Sequence, residues 1–348
     1  MAKLRKTLPK DFEQLVEAND FAALTAALER CEVDARTADF AKRTALHHKC
    51  SAKLTRWLVE RGANIDAEDT WGNVPLHSRI TYGGDIDVLL ELGADLEHQS
   101  RSIGRPLHNA ADAGTRIEAA IKLLDAGALV DGLSKDGETP LESALARASN
   151  VALIAIVKMA RLLLARGAQI RPGMAKSVRR IGEEFEFYRP NFNKESVGEY
   201  STALDELYAI FDVTPVPRRV MHDGGRITVT ATTWQAQHEE LWNLLIPSTG
   251  AAATVQGEVV RIAGQINDEL GRNGGGNWDK DHRAMANAYL KHIATGKALS
   301  ASDQQAAAAV VQALPDLASE FGELARLGVK WVLANPESVK LAKPSYKR

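Results

Sequence analysis

The pentapeptide VPLHS at residues 74–78 decides how the first half of this chain folds, because close copies of it recur at regular intervals. The copies are TALHH at 44–48, RPLHN at 105–109 and TPLES at 139–143, so that the intervals between their leucines are 30, 31 and 34 residues. Each copy is followed by a second element, and these elements read RGANID, LGADLE, AGALVD and RGAQIR. Four copies in phase indicate a repeat architecture, in which each supersecondary unit stacks on its neighbours.

Each repeat is expected to form two helices. The segment between its two elements is apolar at helical spacing, as in Ile117, Ile121 and Leu124, and Gly127 follows as a left-handed helix stop. The proline of the Pro-Leu-His copies suits the first position of a helix, because that position needs no N–H donor. We expect the leucines of the pentapeptides to fill the core between repeats, and these are Leu46, Leu76, Leu107 and Leu141.

These motifs resemble the ankyrin repeat, whose pattern is Gly-x-Thr-Pro-Leu-His at the first helix and Gly-Ala-Asp after the second. The resemblance covers about residues 40–173, and residues 11–36 resemble a degenerate first repeat with a more polar outer face. It implies that His47, His77 and His108 hydrogen-bond to neighbouring loops. A role as metal ligands is the weaker alternative for these histidines.

The spacing within the repeats is irregular. From the Pro or Ala of each pentapeptide to the glycine after the second helix, the distances are 17, 18, 21 and 27 residues in turn. We therefore expect shortened helices or turns in the first two repeats. The fourth repeat is expected to carry an insertion near ARASNVALIAIV, residues 146–157.

The repeat stops after RPGM at residues 171–174. Helices are predicted within residues 177–190 and 193–213, and five more between Trp234 and Ala334. Asp-Gly-Gly at 223–225 lies between runs rich in Val, Ile and Thr, which predicts a two-stranded hairpin.

The predicted fold class is mainly α, an ankyrin-repeat solenoid followed by an α-helical C-terminal domain with one short β-hairpin. The solenoid is assigned to residues 1–173 and a helical connector to 174–220. The C-terminal helical domain is assigned to residues 221–348.

The segment RNGGGNWDKDH at 272–282 contains residue types that bind phosphate or metal. A phosphate loop follows a strand and carries a lysine at a set place, and a calcium loop ends in glutamate; neither context occurs here. We expect a turn between two helices instead. Asp279 is predicted to cap the helix that begins at Lys280, the three glycines to take positive φ, and Trp278 to pack into a core.

The sequence contains no complete catalytic motif. His238 lacks the second histidine of a metal-binding helix, and His222 beside Asp223 lies at the predicted hairpin tip, where burial is slight. Glu258 and Arg261 are three residues apart on one helix, which suits an ion pair. Catalytic residues, cofactors and metals are therefore not predicted, and an enzyme with its site in residues 221–300 is the alternative.

The composition limits the kinds of partner. With 43 basic and 45 acidic residues, the net charge of -2 gives no general attraction to nucleic acid or to an anionic membrane. The sequence lacks the roughly 18 uninterrupted apolar residues that a membrane span needs. Its two cysteines fit a reducing compartment. We expect a soluble, unprocessed cytoplasmic protein.

The resemblance implies that the chain binds another protein. Apolar residues in the loops between repeats are expected to project toward a partner, unless each packs on the next loop: Phe40, Trp71 and Ile103. Polar residues just inside the first helices are expected to line the adjoining concave face: Arg79, Asn109 and Asp112. The specific version of this hypothesis is a bacterial inhibitor or immunity-type partner of an enzyme or toxin. A structural assembly scaffold is a third possibility.

Overall fold

The computed structural model describes residues 3–315 and 321–347, which are mainly α-helical and contain one small sheet. The helices of the first half are α1 (Phe12–Ala18), α2 (Phe21–Leu28), α3 (Ala52–Glu60), α4 (Pro75–Tyr82), α5 (Asp87–Glu91), α6 (Pro106–Ala111), α7 (Ile117–Asp125), α8 (Pro140–Arg147), α9 (Leu153–Ala165), α10 (Pro172–Tyr188) and α11 (Val197–Ile210). The helices of the second half are α12 (Trp234–Leu245), α13 (Val255–Gly271), α14 (Lys280–Ile293), α15 (Ala301–Ala313) and α16 (Phe321–Ala334).

The chain divides into two compact units. Unit 1 comprises Met1–Phe185 and Phe192–Val216, and unit 2 comprises Glu186–Asn191 and Pro217–Arg348. Most of α10 and all of α11 lie in unit 1, where α11 packs against α9.

The repeated motifs occupy equivalent places in unit 1. The four pentapeptide leucines are at most 2% exposed, as expected for core residues: Leu46, Leu76, Leu107 and Leu141. Proline begins α4, α6 and α8. The glycine after the second helix of each repeat is left-handed, with φ of +89° at Gly62, +82° at Gly93, +99° at Gly127 and +96° at Gly167. These positions favour glycine because a Cβ would strain the backbone there.

The irregular spacing appears as irregular helices. The first repeat begins with a 3-10 turn at Ala45–His47 instead of an α-helix, and the second helix of the second repeat, α5, has only five residues. In the fourth repeat, a 3-10 turn at Asn150–Ala152 precedes the 13-residue α9. The shortening and the insertion thus lie where the residue counts predicted them.

The N-terminal segment contains strands that the sequence analysis did not predict. Its helices α1 and α2 are followed by β2 (Cys31–Arg36), which pairs in parallel with β1 (Arg5–Thr7). The pairing is irregular, since Arg5 lies opposite Cys31 and Thr7 opposite Arg36. A three-residue strand carries too little alternation to be recognised from sequence.

The predicted hairpin with its turn at residues 223–225 is wrong. Gly224 makes the expected left-handed turn with φ of +96°, but the segments on either side of it do not pair. His222 N–H donates to the Leu244 carbonyl at 3.0 Å, whereas Ile227 N–H donates to the Pro336 carbonyl at 2.8 Å. The two segments that flank Gly224 therefore hydrogen-bond to distant parts of the chain and not to each other.

Helix α13 is the centre of unit 2 and contacts α12, α14 and α16. Its inward side chains belong to the main core of the unit, together with Tyr289 of α14 and Trp331 of α16. The polar atoms of these two rings are satisfied, because Tyr289 donates to the Leu324 carbonyl at 2.6 Å and Trp331 to the Thr295 carbonyl at 3.1 Å. Of the last predicted helix, residues 317–320 lie outside the described residues, and the rest is α16.

The glycine-rich segment 272–282 is a turn between α13 and α14. Asp279 caps α14 as predicted, and its Oδ1 accepts from the N–H groups of Asp281 and His282, each at 3.0 Å. Gly274 and Gly275 have positive φ, whereas Gly276 does not, which corrects the expectation for all three. The ring of Trp278 stacks on that of His282 with centroids 5.1 Å apart.

The described part of the chain holds no helix with the length and apolarity that crossing a membrane requires.

Candidate functional site

Two aromatic rings lie at the ends of neighbouring loops of unit 1. Phe40 is 73% exposed and Trp71 is 38% exposed, and their ring centroids are 5.8 Å apart in an edge-to-face arrangement. The rings therefore pack on each other and still face solvent. Packing of one ring on the next loop, the alternative that the sequence left open, is therefore present, and contact with a partner stays a prediction.

Two hydrogen bonds from Thr70 join the two loops. The N–H of Thr70 donates to the Ala41 carbonyl at 2.9 Å, and its hydroxyl donates to the Phe40 carbonyl at 2.6 Å. Asp69 orders the second loop from within, because its Oδ1 accepts from the N–H groups of Trp71 and Asn73, each at 2.9 Å. The rings are thus held by ordered backbone.

Arg43 and Tyr82 extend this surface. Arg43 donates from Nη2 to the Tyr82 hydroxyl at 2.9 Å, and its guanidinium lies 4.9 Å from the centroid of Tyr82 and 5.9 Å from that of Trp71. Asp69 lies 3.7 Å from Arg43 Nε. We call Phe40, Arg43, Trp71 and Tyr82 the aromatic patch.

Sequence reasoning missed Arg43 and Tyr82. The available signal was that Tyr82 ends the first helix of its repeat and that Arg43 directly precedes a repeated pentapeptide. A cleft of about 340 Å³ adjoins these two side chains and is also lined by Glu13, Glu17 and His48. It gives the patch a concave border.

Ile103 and Asp112 lie outside the patch. Ile103 is half-buried in a loop whose Arg101 N–H donates to the Trp71 carbonyl at 3.2 Å. Asp112 is partly exposed, with Arg116 3.9 Å away. Both side chains keep some accessible surface.

Arg79 is buried, which corrects the expectation that it lines an exposed face. Its side chain is fully enclosed and donates to the Leu46 carbonyl at 3.1 Å, the Asp85 carbonyl at 2.9 Å and the Thr55 hydroxyl at 2.8 Å. Carbonyl groups at the ends of short helices lack partners within the helix. Arg79 supplies a donor to such a carbonyl at Leu46, in the 3-10 turn, and burial lowers its pKa.

Asn109 requires the same correction. It is 2% exposed, and its Nδ2 donates to the His77 carbonyl at 2.8 Å and to the Thr81 hydroxyl at 3.0 Å. Its side chain therefore joins two repeats from within, and a partner cannot reach it in this structure.

The pentapeptide histidines make the predicted hydrogen bonds to neighbouring loops. Nε2 of His47 lies 3.0 Å from the Asn73 carbonyl, that of His77 lies 3.0 Å from Gly104 O, and that of His108 lies 2.9 Å from Glu138 O. Burial lowers the pKa of His47 and of His77 to about 4. These rings are neutral near pH 7 and anchor the loops of unit 1.

Two polar pairs of unit 2, His222 with Asp223 and Glu258 with Arg261, form hydrogen bonds to residues close to them in the sequence. His222 Nδ1 accepts from Gly224 N–H at 3.1 Å, and Asp223 Oδ1 accepts from Gly225 N–H at 2.9 Å. Glu258 and Arg261 form the predicted ion pair, with Arg261 Nη2 at 2.6 Å from Glu258 Oε1. Burial opposes the charge of Glu258, but hydrogen bonds from Arg261 and Tyr346 hold its pKa below the usual value.

Comparison with known proteins supports an ankyrin-like N-terminal region at partial coverage. A Fowlpox virus (strain NVSL) protein named as an ankyrin repeat protein is 47% identical over 58 residues, which are 15% of this chain and 11% of that protein. The E3 ubiquitin-protein ligase KEG of Arabidopsis thaliana is 28% identical over 148 residues, which are 40% of this chain and 9% of that protein. No protein-family model matches the chain. The chain thus spans about a tenth of the length of either relative.

Proposed function

We propose that unit 1 is an ankyrin-repeat solenoid that binds another protein through the aromatic patch. The observation that carries the proposal is Phe40, which is 73% exposed although the loop beneath it is ordered by hydrogen bonds. A large apolar ring kept in water on a rigid loop is typical of a contact surface. The likeness to ankyrin-repeat proteins supports a protein as the ligand.

The composition of the patch fits this role. Tryptophan, tyrosine and arginine are the side chains most enriched among residues that dominate binding energy, and the patch contains one of each beside Phe40. Because Arg43 is already held between Trp71 and Tyr82, little side-chain freedom is lost when a partner covers it.

An inhibitor or immunity-type role toward an enzyme or toxin is a narrower form of this proposal. The narrower proposal adds that the bound protein loses its activity in the complex. It is tested after the partner is identified, by assaying that activity with and without this chain.

The proposal is tested by replacing Phe40 with a photo-crosslinking phenylalanine analogue in the full chain. The matched control carries the analogue at Val151, which is 67% exposed in the same unit. We expect a partner that crosslinks from position 40 and not from position 151. Its Kd is then measured with the parent chain and with Phe40→Ala, which should bind roughly thirtyfold more weakly, or about 2 kcal/mol. Equal crosslinking from both positions, or an unchanged Kd, contradicts the proposal.

A further inference from the structure

Unit 2 contains a cleft of about 810 Å³ between one face of α13 and the segments opposite it. Arg261, Gln265 and Asp268 lie along the α13 side, and Trp242 and Tyr188 lie among the facing residues. Clefts of this volume fit a compound of small-molecule size. The site does not involve the aromatic patch, and it is independent of the function proposed above.

Hydrogen bonds hold the amide of Gln265 in one orientation. Arg261 donates from Nε and Nη2 to Glu258 at 2.9 and 2.6 Å, and from Nη1 to Gln265 Oε1 at 3.0 Å. Glu258 is itself held by the Ala252 N–H at 3.0 Å and the Tyr346 hydroxyl at 2.6 Å. Since arginine only donates, the oxygen of Gln265 must face Arg261, and its NH₂ group points away from Arg261. Gln265 therefore offers an oriented donor in the wall of the cleft.

The aromatic side of the cleft is also fixed in place. Trp242 lies so close to α13 that a Cβ added to Gly264 would come within 2.3 Å of its Cζ3. Tyr188, which is 41% exposed, packs edge-to-face on Phe187 with centroids 5.0 Å apart. Arg219 lies 4.1 Å from the Phe187 ring and donates to the Trp242 carbonyl at 3.1 Å. Two flat side chains thus border the cleft on ordered supports.

The charges that line the cleft are balanced. Arg261 is paired with Glu258, and Arg272 at the exposed end of α13 is paired with Asp268. A ligand with net charge gains little from such a wall and loses its own hydration.

We propose that this cleft binds a flat, uncharged aromatic compound that carries a carbonyl acceptor, with the Gln265 amide donating to that carbonyl. The ring of the compound lies against Trp242 and Tyr188, and its carbonyl faces α13.

The test is titration calorimetry of the full chain with three probes of similar size: benzamide, benzoate and benzylamine. Compounds of so few atoms are expected to saturate a site at concentrations of about 1 mM. We expect benzamide to bind with one-to-one stoichiometry. Its Kd should be at least about fivefold lower than that of either charged probe, because one net hydrogen bond changes a Kd by about this factor. Absence of saturable benzamide binding, or equal affinity for the three probes, overturns the proposal.

Two variants locate the binding. Gln265→Glu keeps an oxygen acceptor for Arg261 but removes the donor, so it should weaken benzamide binding about fivefold and strengthen benzylamine binding. Tyr188→Ala should weaken benzamide binding, whereas the control Leu129→Ala, at a side chain 58% exposed in unit 1, should not. Melting curves confirm that each variant is folded. Benzamide binding that is unchanged in both Gln265→Glu and Tyr188→Ala places the ligand elsewhere and overturns the proposal.

Discussion

Nε2 of His47 lies 3.0 Å from the carbonyl oxygen of Asn73, so the pentapeptide of one repeat is joined to the loop that carries Trp71. Asn73 is in turn held by Asp69, whose Oδ1 accepts from its N–H at 2.9 Å. The buried histidine therefore helps to position an exposed aromatic ring. The stability of unit 1 and the geometry of the aromatic patch depend on the same hydrogen bonds.

Acid should destabilise unit 1. Burial lowers the pKa of His47 and of His77 from 6.5 to about 4, so between these values the unfolded chain binds more protons than the folded one. We expect the free energy of unfolding to be highest above pH 6.5 and to fall as the pH drops toward 4, by on the order of 2 to 3 kcal/mol per histidine. Urea unfolding at about pH 7 and about pH 4.5 measures the change. In the control His77→Gln the dependence should be flatter; a parent protein equally stable at both pH values contradicts this prediction.

Replacement of Trp71 should affect binding more than folding. Trp71 is 38% exposed, and its ring packs edge-to-face on that of Phe40, so Trp71→Ala should lower the free energy of unfolding by about 1 kcal/mol. We expect the same variant to weaken binding of the crosslinked partner by about 2 kcal/mol or more. Thermal melting and calorimetry are run together, with Val151→Ala as the control. A stability loss of about 3 to 5 kcal/mol would instead identify Trp71 as a core residue.

Replacement of Arg79 should affect folding strongly. The side chain is fully buried and bonds two carbonyls and a hydroxyl, so Arg79→Ala leaves those groups unsatisfied and should lower the free energy of unfolding by about 3 kcal/mol. The matched control is Arg101→Ala, at an arginine whose side chain is 65% exposed, for which we expect a change within about 0.5 kcal/mol. Urea denaturation compares the two. Similar losses at both positions contradict the structural role given to Arg79.

Loss of one hydroxyl should loosen unit 2. Tyr346 is 8% exposed and donates to Glu258 Oε1 at 2.6 Å, so Tyr346→Phe removes one of the partners of a buried carboxylate. We expect the free energy of unfolding of unit 2 to fall by about 1 to 3 kcal/mol. Tyr188→Phe, at an exposed ring, is the control. Hydrogen exchange followed along α13 gives the measurement, and equal protection in Tyr346→Phe and the parent contradicts the prediction.

The repeats could be predicted because their determinants are local. A proline at the start of a helix, a leucine one residue later and a left-handed glycine after the second helix each act within one repeat, as at Pro75, Leu76 and Gly93. The cap at Asp279 and the ion pair of Glu258 with Arg261 were predictable for the same reason, since each joins residues at most three apart.

Features that depend on distant partners could not be predicted in this way. Arg79 sits where a polar residue can face solvent, and only the position of Leu46 O, 33 residues earlier, shows that it points inward. The turn at Gly224 was recognised, but Ile227 pairs with Pro336 through contacts that no local pattern reveals. The cleft beside Gln265 likewise combines residues 188, 242 and 265, which only the folded unit brings together.

The pairing of residues 226–227 with 336–337 affects the order in which the two units can form during synthesis. The histidine links of unit 1 span 26 to 30 residues, so each repeat can close soon after its successor leaves the ribosome. In unit 2, Arg226 contacts Glu337, which lies 111 residues later in the chain. Glu258 accepts a hydrogen bond from Tyr346, which lies 88 residues later. A nascent chain stalled before residue 336 should therefore carry a folded unit 1 beside an unfinished unit 2 that exposes its apolar helices to chaperones.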